Sequence, residues 1–344
     1  MEYINSNVKA RISFIDMTKG ILIIMVMVGH MQNVCKELNV HDDVFVMLDQ
    51  FEWFWGPFFM PAFFVITGFC GNFDKPFKPY LISNIKGLLI PAFTLGIISR
   101  WLSFLYISDI TISNFFSLGL KGFITNGGSF WFLSALFVSK VLYFALRKIV
   151  SDMKWQFLIL IIMHLVGFLL FSNSICKNVW FFQHSFMLTI YLFIGQYFKK
   201  IDLINTKKTM LLAGNWGGYL ISVLIIMLLG YESPHIAHNV TLNKITIIPH
   251  LFLSIWGSYL ILSLTKKMRN ISPLLFLGKN SLIFYCLHIQ LLFYFIGIFS
   301  FLLEQLIWLS IICWGVIIIS IIGICSLFSF LLNRKYFNFL LGKF

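Results

Sequence analysis

The sequence predicts an all-α integral membrane protein, a polytopic bundle of about ten transmembrane helices with both termini cytoplasmic. Three observations carry this. The 344 residues are 59% hydrophobic and 11% charged, with a mean hydropathy of +0.88, whereas a soluble domain carries about a quarter charged residues. Apolar segments of roughly 20 residues, the length that crosses a bilayer, recur from end to end. Lysines and arginines concentrate in the short connections on alternate sides of those segments.

The segments lie near 12–34, 53–72, 86–107, 128–150, 155–172, 179–198, 209–230, 245–264, 281–303 and 306–332. Nothing is left over for a soluble domain, so residues 1–344 read as one membrane domain with its core at about 12–332. The first segment is long enough to span and has no small-x-small cleavage site, so it reads as a helix and not a signal peptide. With the N-terminus inside, the inner connections hold clusters such as Lys75, Lys78 and Lys86, Arg147 and Lys148, Lys199, Lys200, Lys207 and Lys208, Lys266 and Lys267, Lys279 and Lys343. The outer ones hold only Lys36, Lys121, Lys177 and Lys244. A net charge of +13 would suit nucleic acid, but this scatter marks orientation and forms no binding stripe, so no nucleic-acid partner is expected. The six cysteines have no paired spacing and read as small apolar residues, not as a disulfide framework or metal site. Glu232, His235 and His238 in one outer loop are weak evidence for a metal site, and no metal is expected.

Polar residues inside the spans are the functional candidates, because ionisable groups are costly in hydrocarbon. Arg100 and Lys140 are two of them, read as facing a cavity or an ion-pair partner. The stretch KGILIIMVMVGH places Lys19 and His30 at its ends. Eleven helical steps bring these two to within about 20° of one face and separate them by about 16 Å along the axis. Lys19 then sits near the cytoplasmic boundary and His30 in the outer half, suited to an anionic ligand at one end and proton transfer at the other. An interfacial anchor and a packing histidine are the alternative readings. In 281–288, Ser281, Tyr285 and His288 share a face. His164, His184 and His250 read as packing residues, and Pro61 and Pro91 as helix-bending positions.

The stretch RISFIDMTKGILIIMVMVGH resembles the first helix of the membrane-bound acyltransferase 3 family, in which a basic residue precedes a histidine by the same spacing. FFMPAFFVITGFC (58–70) resembles its second helix, with Thr67-Gly68-Phe69 where the family usually has Ser-Gly-Phe. NIKGLLIPAF (84–93) resembles a basic loop before Leu-Leu-x-Pro, here with Lys86 alone immediately upstream. SFWFLSALF (129–137) and LGKNSLIFYCLHIQLL (277–292) resemble later elements in the same order.

The resemblance implies an enzyme that transfers an acyl group, most often acetyl, from a cytosolic thioester such as acetyl-CoA to a hydroxyl of an envelope or surface carbohydrate. The acceptor would be a polymeric or lipid-linked glycan, and the location the inner (cytoplasmic) membrane of a bacterium. His30 is then the expected general base, with Lys19 and His288 as further catalytic candidates. Lys19, Lys86, Arg100, Lys140 and Tyr285 are the expected donor-binding and oxyanion-stabilising groups. A transporter or flippase for a polar envelope precursor is the alternative that intramembrane cations also suit.

Overall fold

The computed structural model describes residues 12–40, 44, 52–104, 121–125, 130–172, 179–201, 212–228 and 247–343, and every regular element among them is helical. They are α1 (Ser13–Glu37), α2 (Phe59–Cys70), α3 (Phe77–Asn84), a π-helical stretch (Ile85–Leu89), α4 (Ile90–Ser103), α5 (Trp131–Ile149) and α6 (Met153–Ser172). There follow α7 (Phe182–Lys200), α8 (Leu212–Leu228), α9 (Ile247–Lys267), the short α10 (Ser272–Lys279), α11 (Ser281–Leu303), α12 (Ile307–Leu332) and a closing 3-10 turn (Asn338–Leu341). The residues before Ile12, the Lys207–Lys208 pair, Cys176, and the loop with Glu232, His235 and His238 lie outside the described residues.

Each apolar segment expected from the sequence holds one of these helices. Among the described residues, seven helical runs are long and apolar enough to cross a membrane: Ser13–Glu37, Glu52–Cys70, Phe77–Ser103, Met153–Leu170, Ile247–Lys267, Ser281–Leu303 and Ile307–Leu332. Helices α5 and α7 have 19 residues each but carry Lys140, Arg147 and Lys148, and Lys199 and Lys200; α8 has 17. The outer helices show why apolar periodicity is faint here. Trp155 and Ile162 on α6, Ile221 and Leu228 on α8, and Ile312 and Ile319 on α12 are exposed. A face turned to lipid is as apolar as a face turned to the core, so no polar stripe marks the outside.

Helix α2 sits at the centre, packed by α1, α7 and α9. Small residues permit the closest approach: a Cβ on Gly195 would collide with the Val65 carbonyl, and one on Gly68 with the Leu192 carbonyl. Helix α10 lies as tightly on α1, with Gly278 against the Asp16 carbonyl. Buried hydroxyls bond between helices, as Thr18 does with Thr265 (2.7 Å) and Ser139 with the Ser185 carbonyl (3.0 Å).

Both expected proline positions interrupt regular helix. Pro61 has no N–H for the carbonyl of Pro57, and the Ser254 hydroxyl of α9 donates to that carbonyl at 2.5 Å. Just before Pro91 the chain widens into the π-helical stretch, where the Ile90 N–H reaches the Ile85 carbonyl. Helix α1, by contrast, runs unbroken past His30 and ends at Asn39 in the left-handed conformation (φ 56°), with the Val40 N–H returning to the Cys35 carbonyl (2.9 Å).

Candidate active site

The unbroken α1 carries Lys19 and His30 on one rod, as the spacing requires. Helix α11 packs against α1 and brings the His288 ring to 5.2 Å from the His30 ring, centroid to centroid, at an interplanar angle of 44°. His288 is fully buried and His30 half-buried. The Nδ1 of His288 lies 2.9 Å from the Phe284 carbonyl one turn earlier. A carbonyl only accepts, so Nδ1 carries the proton and Nε2 keeps its lone pair. Among the described residues, Nε2 has no hydrogen-bond partner. A buried imidazole is thus held in one tautomer with its basic nitrogen unspent, beside a second imidazole that is more accessible.

Tyr285, one turn before His288, has its ring 6.3 Å from that imidazole and packs on Phe130 (5.8 Å) and Phe132 (5.4 Å) at the start of α5. Phe130, Phe132 and Tyr285, from stretches distant in sequence, therefore form one aromatic wall beside His288. Glu52 stands beside Gly29: its Oε1 would lie 3.1 Å from a Cβ placed on that residue, which precedes His30. Glu52 as a whole is 9% exposed.

A second feature opens at the start of α11. A cleft of about 760 Å³ is lined by Lys78, Lys86, Lys279 and Lys343, with Asn280, Asn333 and Ser83. None of its described lining residues is acidic. Leu282 and Ile283 form part of its wall, and His288 lies five to six residues further along the same helix, about 7–9 Å by helical rise. An anion held in the cleft is thus connected to the histidine pair by a single rigid element.

The other expected residues are placed separately. Lys86 is on the π-helical stretch and in the cleft wall. Lys19 is half-buried on α1, next to Gly20, whose backbone abuts the Leu274 carbonyl of α10; it does not line the cleft. Arg100 is near the end of α4, with Ser103 bonded to its carbonyl (2.6 Å). Lys140 is in mid-α5, its carbonyl taking the Tyr80 hydroxyl at 3.0 Å. Neither lines the cleft. His164 makes an interhelical bond to the Met187 carbonyl (2.7 Å), and His184 stacks near Trp131 (5.0 Å).

Sequence reading placed Lys78, Lys279 and Lys343 among the inner-connection orientation signals and singled out Lys86 of that group for donor binding. No sequence pattern brings the three lysines to one cleft or pairs Glu52 with Gly29. A family model described as an acyltransferase domain matches residues 12–329. No curated protein and no solved structure matches the chain.

Proposed function

The chain belongs to the acyltransferase 3 family and is a membrane acyltransferase, and from that premise we propose that it moves an acetyl group from cytosolic acetyl-CoA to a hydroxyl of an envelope or surface carbohydrate, with His30 as general base. The observation that carries this reading is the juxtaposition of His30 with His288, whose Nδ1 is committed to a backbone carbonyl. The family assignment lends no support to a transporter.

In the proposed reaction the acceptor O–H gives its proton to His30 as its oxygen attacks the thioester carbonyl. The C–O bond forms, the C–S bond breaks, and the departing thiolate takes a proton. His288, with its free-facing Nε2, is the second site for that proton, and Tyr285, whose ring lies 6.3 Å from that imidazole, is the candidate to steady the developing oxyanion. Water is kept from the ring of His288 by its burial, and Tyr285 beside it packs on Phe130 and Phe132.

The donor enters at the lysine cleft, where Lys86 and its neighbours hold phosphates as point charges. Lys19, Arg100 and Lys140 add positive potential along the path. The membrane arrangement that suits this has α5, α7 and α8 spanning beside the seven apolar runs, ten spans in all, with both termini and the cleft cytoplasmic in a bacterial inner membrane. The acceptor, a polymeric or lipid-linked glycan, approaches His30 from the other side.

The test is acetyl transfer itself. Membranes containing the protein, given acetyl-CoA labelled in the acetyl group, should deposit label on envelope carbohydrate in an ester released by mild base. Label found only on protein amines or free acetate would overturn the assignment.

A further inference from the structure

The closing 3-10 turn does not hang from the end of α12; it is built into the lysine cleft. Pro91 has no N–H to give the carbonyl of Lys86 in the five-residue spacing of the π-helical stretch. The backbone of Gly342 lies against that same carbonyl, so closely that a Cβ there would overlap it, and Gly342 is left-handed (φ 68°). Only glycine satisfies both conditions without strain. The Thr94 hydroxyl of α4 donates to the Leu340 carbonyl at 2.5 Å, and Leu341 is 6% exposed. Beyond this anchor, Lys343 Nζ donates to Asn333 Oδ1 (2.6 Å), and Asn333 Nδ2 to Asn280 Oδ1 (3.0 Å), across the cleft rim. Three stretches of chain, from α3 and the π-helical stretch, from α10 and from the C-terminus, thereby converge their lysines on one space with no acid among its described lining.

We propose that the C-terminal segment Asn338–Lys343 is a structural wall of the anion site and that Lys343 is one of its ligand-binding cations, the ligand being a molecule with several phosphates. This rests on the donor reading for the identity of that molecule, a phosphorylated nucleotide thioester, but not for its charge. Four lysines converging on one cleft raise its positive potential, which favours an anion carrying several charges. The volume of about 760 Å³ lies within the usual range for ligand sites. The Asn333–Asn280 link sets where Lys343 sits, so the segment also fixes the distance between its cation and that of Lys279.

The experiment measures binding of CoA and of inorganic tripolyphosphate to the purified full-length protein at low salt by calorimetry. Lys343→Gln should weaken both ligands about 5- to 10-fold, the loss of one charge-assisted contact at a partly open site. Its melting temperature should be unchanged. Gly342→Ala should weaken both at least as much with Lys343 intact. Tripolyphosphate binding that depends on Lys343, without CoA binding, supports this inference and removes the acetyl-CoA reading. Equal binding by the wild type and Lys343→Gln overturns the inference while leaving that reading in place. No tripolyphosphate binding by the wild type, or displacement of tripolyphosphate by phosphatidylglycerol micelles but not by CoA, also overturns it.

Discussion

The rings of His30 and His288 lie 5.2 Å apart, although they stand near opposite ends of the chain. Helix α1 runs straight through the first and α11 carries the second from the lysine cleft inward. That relationship links the lysine cleft to a pair of imidazoles, and it makes the account testable piece by piece.

Orientation comes first. With the six native cysteines replaced, a single cysteine at Asn39, just past the end of α1, should react with a membrane-impermeant maleimide in intact cells. One at Asn270, between α9 and α10, should react only after the cells are opened. Both side chains are exposed, so burial will not mask the outcome. The reverse pattern would place the cleft outside and separate it from cytosolic CoA.

Donor affinity should be electrostatic. Lys86 is exposed on the cleft wall, so Lys86→Ala should weaken acetyl-CoA about 5-fold, near 1 kcal/mol, in low salt. The difference should shrink above about 0.3 M salt, where the screening length falls below the size of the cleft. An affinity indifferent to salt would argue against phosphate recognition by these lysines.

Packing at the centre of the bundle can be tested with two glycines. Gly195→Ala forces a methyl into the Val65 carbonyl and should cost about 1–3 kcal/mol, read as a lower melting temperature in detergent. Gly297→Ala, on α11 where nothing lies within 4 Å of the added carbon, should be neutral or stabilising by up to about 1 kcal/mol through helix propensity. Equal effects of the two would refute the close α2–α7 contact.

The carbonyl of Pro57 offers a rescue test. Ser254→Ala removes its 2.5 Å donor and should destabilise by about 1–3 kcal/mol, the usual penalty for a buried polar group left unmade. Pro61→Ala restores a backbone N–H four residues on. In that background the same serine change should cost measurably less, and an undiminished cost would show that the serine acts by packing.

Much of this fold is legible in the sequence because lipid makes a simple demand: roughly 20 apolar residues per span, with cations left in the connections. The helix of Lys19 and His30 is legible for the same reason, since no glycine or proline strong enough to break it lies between them. What the sequence does not disclose depends on contacts between distant segments. His288 could be named as a candidate, but its distance from His30 is set by how α11 leans on α1. The cleft was hidden because each of its lysines also satisfies the orientation rule, and the same charge serves either purpose. Glu52 acquires meaning only from its place beside Gly29. The π-helical stretch was invisible because Pro91 predicts an interruption but not its form.

The central claim is that His30 and His288 act as a unit in proton transfer. The most direct measurement is a double-mutant cycle of acetyl transfer in membranes, with His30→Gln, His288→Gln and the combination, each expressed at wild-type level. His30→Gln should lower the rate by about 10²–10⁴-fold, since an amide accepts a hydrogen bond but not a proton at neutral pH. His288→Gln should lower it less, and the double variant should be no worse than His30→Gln alone, because residues acting together lose their effect together. Donor binding should be retained in all three. Near-normal transfer by His30→Gln, or losses that multiply in the double variant, would contradict the account.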